Sequence, residues 1–126
     1  MKLKVCGLSN PIEVETCINI NVSFCGFILN YPKSHRHISY ERAVNLLNIS
    51  KKKIQNVGVL VNPSLSELEK FSKLDLDYFQ LYGQYDNNSL TNIKKKFQKK
   101  IITTIQVKHK SDVDLYKMVE DQSDII

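Results

Sequence analysis

Lys2-Leu-Lys-Val-Cys-Gly-Leu-Ser-Asn-Pro-Ile-Glu13 joins a short apolar strand directly to the opening of a helix. The strand, Leu3–Cys6, ends on a thiol that is followed at once by Gly7. Asn10 is a good N-cap residue, Pro11 suits the first helical position, and Glu13 stands third, where it can answer the cap. A strand that feeds a helix this directly is one unit of a parallel sheet. In such sheets ligands and chemistry gather at the carboxyl ends of the strands, and Cys6 stands at that end.

The same unit recurs along the chain. Apolar, β-rich runs are expected to form strands at Val22–Leu29, Val57–Val61, Tyr78–Leu81 and Ile101–Val107, with a last one opening at Ile125. Between them lie segments with helical spacing. Ser39 caps one that carries Ala43, Val44, Leu46 and Leu47, and Ser64-Leu-Ser-Glu67 is a capping box for a helix through about Leu74. Asp86–Asn88 reads as a turn and helix start ahead of Ser89–Phe97, and Ser111-Asp-Val-Asp114 starts a further helix with Leu115, Met118 and Val119 on its apolar side.

Strict alternation implies parallel strands joined by right-handed crossovers. An open doubly wound sheet and a closed barrel both satisfy that rule. No Gly-x-Gly-x-x-Gly follows any strand, which disfavours the dinucleotide-binding version. A strand interval of about 25 residues, carried to eight units, gives the ~250 residues typical of the parallel (β/α)8 TIM barrel. Residues 1–126 supply about five βα units and the start of a sixth strand, so the expected fold is an incomplete α/β barrel in a single domain. Nothing on Ile101–Val107, neither proline nor charge, would guard it as a sheet edge. Truncation is therefore the expected explanation of the ending, and association of the isolated piece through its open edges is expected as well.

Composition narrows the class. A hydrophobic fraction of 42% and a charged fraction of 25% are those of an ordinary globular domain. No apolar run approaches the ~20 residues of a membrane span, and Met1 leads straight into the first strand without a signal-peptide core. A cytoplasmic protein with no membrane partner is expected. Cys6, Cys17 and Cys25 form no Cys-x-x-Cys, and the three histidines lack matching ligand spacing, so neither a disulfide framework nor a metal site is expected. The net charge of +5 comes from eighteen basic residues, sixteen of them lysine, gathered at 51–53, 94–96 and 99–100. These clusters fall at helix ends or just before strands, where lysines cover solvated surface; a nucleic-acid partner is not expected. A positive surface would still draw in an anionic small substrate.

Four residues at strand ends could carry chemistry. Cys25 and Cys17 lie within a strand and a helix and read as core, whereas Cys6 is last in its strand. Backbone N–H groups and the dipole of the helix opening at Asn10-Pro11 are expected to favour its thiolate. Arg36 is one of only two arginines and sits in the long segment after the second strand, where its planar fork suits bidentate capture of a carboxylate. Asn62 follows the third strand and serves equally as a cap or turn residue before Pro63. Gln80 alternates with Phe79 and Leu81, which turns it toward the barrel mouth, where a buried amide needs a polar partner.

Four motifs in order resemble those of phosphoribosylanthranilate isomerase, a barrel enzyme of tryptophan biosynthesis. Lys4-Val-Cys-Gly-Leu8 resembles the family's K-[VI]-C-G-[LI]. Gly26-Phe-Ile followed by Tyr31-Pro-Lys-Ser-His-Arg36 resembles G-F-[IV]-F-x-x-[KR]-S-P-R. Val57-Gly-Val-Leu-Val-Asn62 resembles V-G-V-F-V-N, and Gln80-Leu-Tyr-Gly83 resembles Q-L-H-G. The resemblance implies an Amadori rearrangement of N-(5-phosphoribosyl)anthranilate without metal or organic cofactor, with Cys6 as general base and Arg36 on the anthranilate carboxylate. It also marks two departures: Tyr82 stands where the family has histidine, and His35 where it has proline. The family's general acid, an aspartate at the end of the sixth strand, and its phosphate site in the last loops have no counterpart here. Asp124 stands at the wrong end of the strand to replace that acid, so the piece alone is expected to be inactive. Two other readings stay open: another phosphosugar barrel of histidine or tryptophan biosynthesis, and a non-catalytic half-barrel that binds a partner through its lysines. The sequence sets no oligomeric state.

Overall fold

A computed structural model describes all 126 residues. Five strands alternate with four helices: β1 (Lys4–Cys6), α1 (Pro11–Asn19), β2 (Phe24–Ile28), α2 (Tyr40–Ser50), β3 (Gln55–Val61), α3 (Leu65–Ser72), β4 (Tyr78–Tyr82), α4 (Asn87–Phe97) and β5 (Lys100–Thr104). A 3-10 helix, Lys110–Met118, follows. No helix is long and apolar enough to cross a membrane.

All neighbouring strands are parallel, and their spatial order repeats the sequence order, β1-β2-β3-β4-β5. That order decides between the two architectures. A doubly wound sheet reverses direction at a switch point and covers both faces with helices. Here the strand order never reverses, so right-handed crossovers place every helix on one face. The side chains agree. Cys25, Phe27, Leu60, Phe79, Leu81 and Ile101 pack with Val14, Leu46, Leu68 and Leu90 of the four helices into the main core. Their alternating neighbours Phe24, Val57, Tyr78 and Ile102 form a separate cluster on the other, helix-free face.

Three expectations need correction. Val22 and Leu29 are buried but lie outside β2: the Val22 N–H closes the turn from α1 on the Cys17 carbonyl. Beyond Thr104, Ile105–Val107 leave the sheet, because β4 ends at Tyr82, the partner of Thr104, and no ladder remains to pair with. The segment opened by Ser111 winds as a 3-10 helix with no buried residue, and Val113, Leu115, Tyr116 and Met118 are exposed. Its apolar spacing has no broad sheet surface to lie on. After it, Val119 is buried, and Ile125 makes one parallel bridge to Ile102, with the Ile125 carbonyl accepting from the Thr103 N–H at 2.9 Å.

The helix starts follow the capping chemistry. Asn10, Ser64 and Asp86 each complete a capping box, and Ser39 caps α2. The Ser9 N–H, 2.7 Å from Glu13 Oε2, holds that carboxyl below its usual range, and the Ser64 N–H does the same to Glu67. The Ser89 N–H likewise lowers Asp86. Carboxyls with folded pKa values below their unfolded ones stabilise fully above the unfolded value of about 4 and lose that contribution as pH falls through the lower folded value. The urea midpoint should therefore stay level from neutral pH to about 5 and fall below about 4, with Glu13→Gln plus Glu67→Gln flattening the descent.

The lysines of the two later clusters are partly occupied. Lys94 pairs with Asp124 at 3.0 Å and Lys96 with Glu69 at 2.7 Å. Lys99 is half-buried and donates to the Leu74 and Leu76 carbonyls, and burial lowers its pKa.

Candidate active site

The carboxyl ends of the strands form one rim. At β1 the Gly26 carbonyl accepts from the N–H groups of Gly7 and Leu8, at 2.9 and 3.0 Å, and turns the chain off the sheet. Gly7 takes a φ of +81°, and a Cβ there would stand 2.6 Å from Arg36 Cδ. The Arg36 stem therefore lies across Gly7. Cys6, the residue before it, is exposed. Cys6 and Arg36 thus stand at the same end of the sheet.

The loop that carries Arg36 is held by its own hydrogen bonds. The Tyr31 carbonyl accepts from the Ser34 N–H at 3.0 Å, and Ser34 Oγ accepts from the Arg36 N–H at 3.2 Å. The ring of His37 meets the Leu29 carbonyl at 3.2 Å. Gly7 and the Arg36 stem are matched in shape: any larger residue at position 7 would push the arginine away.

Asn62 is a turn residue with φ +42°, and the cap of α3 is Ser64 rather than Asn62. Its N–H donates to the Tyr82 carbonyl at 2.8 Å, and its Oδ1 lies where a Cβ on Gly83 would collide, 2.6 Å away. Gln80 projects from the helix-free face, as its alternation with the fully buried Phe79 and Leu81 requires. Its Nε2 reaches Tyr82 Oη at 3.3 Å and Thr104 Oγ1 at 3.4 Å, while Oε1 is buried with no partner. A buried acceptor without a donor is costly, and a polar ligand group entering from this face would satisfy it.

A concavity of about 920 Å³ opens on the helix-free face beside Gln80, Ile102 and Thr104. Cys6, Arg36 and Asn62 are not among its lining residues. The concavity is the largely apolar inner wall of the sheet, and of the four candidate residues Gln80 alone lines it. No three His, Cys, Asp or Glu side chains converge as a metal ion requires. Burial, with Cys17 beside it, pushes the Cys25 thiol up to about 12, so this pair belongs to the packing between α1 and β2.

Two residues escaped the sequence reading. Asn30 bridges β2 to β3: its Nδ2 donates to the Val61 carbonyl at 3.0 Å and its Oδ1 accepts from the Val61 N–H at 2.7 Å. Arg42, the second arginine, donates from Nε to the Ser9 carbonyl at 2.8 Å and ties α2 to the loop after β1. A polar residue directly after an apolar strand was the only available signal for Asn30.

A family model described as N-(5'-phosphoribosyl)anthranilate (PRA) isomerase matches residues 3–125. The chain belongs to the phosphoribosylanthranilate isomerase family. The N-(5'-phosphoribosyl)anthranilate isomerase of Streptococcus gordonii is 37% identical over 108 residues, covering 85% of this chain and 52% of the relative. A crystal structure of phosphoribosyl anthranilate isomerase in complex with reduced 1-(o-carboxyphenylamino)-1-deoxyribulose 5-phosphate superposes with a TM-score of 0.81 at 26% identity, over 90% of this chain and 58% of that one. The Thermotoga maritima enzyme gives 0.80 at 26% identity, over 90% and 55%. The chain spans about half the length of the curated relatives it matches. Against the phosphoribosylanthranilate isomerase motifs, Tyr82 takes a histidine position, and its phenol is engaged with Gln80.

Proposed function

We propose that residues 1–126 form the first part of a phosphoribosylanthranilate isomerase barrel and carry its base and its carboxylate clamp. The observation that carries this reading is the Arg36 stem lying across Gly7 beside exposed Cys6, at the carboxyl end of a parallel sheet. The substrate is N-(5-phosphoribosyl)anthranilate, and the reaction is an Amadori rearrangement to 1-(2-carboxyphenylamino)-1-deoxyribulose 5-phosphate.

In that reaction a general acid protonates the ribose ring oxygen, the C1–O bond breaks, and the anilino nitrogen donates its electron pair to give an iminium. The Cys6 thiolate removes the C2 proton, and the C2–H electrons neutralise the iminium as an enolamine. The enolamine then becomes the ketone by proton transfer to C1 and loss of the O2 proton. A thiolate is a suitable base for a proton on the carbon beside an iminium. Arg36 holds the anthranilate carboxylate in a charge-assisted, bidentate pair, and Gln80 and Asn62 offer amide groups to the sugar hydroxyls.

In this reading the isolated bridge between Ile102 and Ile125 opens a sixth strand. Asp124, beside it, is occupied: its Oδ2 accepts from the Ile101 N–H at 2.8 Å and from Lys94. It sits at the amino end of that strand, away from the rim, and does not serve as the acid. The 126 residues alone are expected to show no turnover. Joined to the C-terminal part of the Streptococcus gordonii relative, they should restore growth without tryptophan to a strain deficient in this isomerase. The 126 residues alone should not. Growth on the short chain would overturn the account of the missing acid, and a folded but inactive joined protein would overturn the reading itself.

A further inference from the structure

Lys4, which lines the concavity on the inner face, is a cation that the proposed chemistry has not used. Lys4 and Cys6 are two residues apart on β1 and project to the same side of the sheet. Opposite Cys6 in register is Gly26. A Cβ on Gly26 would stand 2.9 Å from Lys4 Nζ and 3.0 Å from Cys6 Sγ. Both groups thus lean over the glycine from either side, which places the ammonium within about 6 Å of the sulfur, close enough for its charge to act there. Any side chain at position 26 would drive them apart.

Lys4 is half-buried, yet it makes no hydrogen bond and no ion pair with a carboxylate. Its counterparts differ: Lys94, Lys96 and Lys117 are paired, Lys99 donates to carbonyls, and Lys100 lies over the Tyr78 ring. A half-buried ammonium without a counterion favours a negative charge nearby; its charge reaches the buried Cys25 thiol, which burial holds protonated, and the exposed Cys6 sulfur beside it. Arg36 is another cation at this end, and its stem lies over Gly7.

We propose that Lys4 is a positioning residue for Cys6, holding its ammonium over Gly26 so that the adjacent sulfur is favoured as a thiolate. The role rests on the reading of Cys6 as the base, and it acts through the sulfur rather than on substrate. No co-reactant is needed: the ammonium keeps its proton while the thiolate takes one from carbon.

The test is the rate of Cys6 alkylation by iodoacetamide, a neutral probe, in the 126-residue chain, followed by mass mapping of the modified peptide. Cys17 and Cys25 are buried and should remain unlabelled. At about 20 mM ionic strength Lys4→Met should slow labelling about three-fold or more, the size expected of one charge at this distance. Lys4→Arg should stay within about two-fold of the unsubstituted chain, and 1 M NaCl should shrink the gap for Lys4→Met below about two-fold. Lys100→Met, a remote lysine on the same sheet, should change nothing. Equal rates for Lys4→Met and the unsubstituted chain overturn the proposal, as does equal slowing by Lys100→Met or a gap that persists in salt. Should Lys4→Met fail to fold by circular dichroism, Lys4→Gln replaces it, and an unsubstituted chain whose labelling ignores salt is itself an overturning result. None of these rates depends on turnover. Loss of the Lys4 effect leaves the role of Cys6 standing, and a Cys6→Ser enzyme with full turnover removes that role without altering the labelling.

Discussion

Cys6→Ser in the joined protein should lower kcat about 10²- to 10⁴-fold, the range that a positioned base contributes. A serine hydroxyl holds its proton far too tightly to take one from carbon at neutral pH. The substitution removes a step made only in the transition state, so kcat and kcat/KM should fall together. Arg36→Met should behave differently. Loss of a charge-assisted pair to a carboxylate weakens binding by about 1.5–3 kcal/mol, so KM should rise about 10- to 100-fold with a smaller change in kcat. Cys6 is exposed, and serine in its place creates no cavity, so lost turnover would not be mistaken for lost fold. Steady-state assays following anthranilate fluorescence would resolve both constants. A loss below about ten-fold for Cys6→Ser would remove Cys6 from the role of base.

Phe79→Ala should destabilise the chain by about 3–5 kcal/mol, a large part of the 5–15 kcal/mol that holds a typical domain together. Phe79 is fully buried in β4 and meets Phe97 of α4 edge to face at 6.3 Å. Leu81 and Leu90, also fully buried, border the same layer between sheet and helices. Truncation leaves a cavity with helices on one side and a paired strand on the other, and neither can collapse far to fill it. The urea midpoint should drop by about 2 M or more. Val113→Ala serves as the contrast: Val113 is 53% exposed and should change the midpoint little.

Much of this architecture was legible because its signals are local. Asn10, Ser39 and Ser64 announce their helices by side chains that reach only three residues ahead, and all three cap as read. Gln80 could be assigned to the helix-free face from alternation alone. What escaped depends on partners distant in sequence. Asn30 acts on Val61, thirty-one residues on, and no local pattern reports such a bond. The end of β5 is set by where β4 stops, so the apolar Ile105 and Val107 read as strand without being strand. Ser111 and the residues after it have helical spacing, yet the winding they adopt depends on a surface the spacing cannot reveal. No sequence pattern announces the contact between Arg36 and Gly7. Its closeness follows from Gly7's left-handed backbone, which a sequence does not display.

Because each strand is held by the one before and the one after it in the chain, cohesion is handed along link by link, with no clasp between the first link and the last. Contacts of this kind close short loops and can form progressively, so a growing polypeptide can lay down one βα unit at a time, each templating the register of the next. The thiol and its neighbouring lysine, on the first link, are set as soon as the second strand zips beside them.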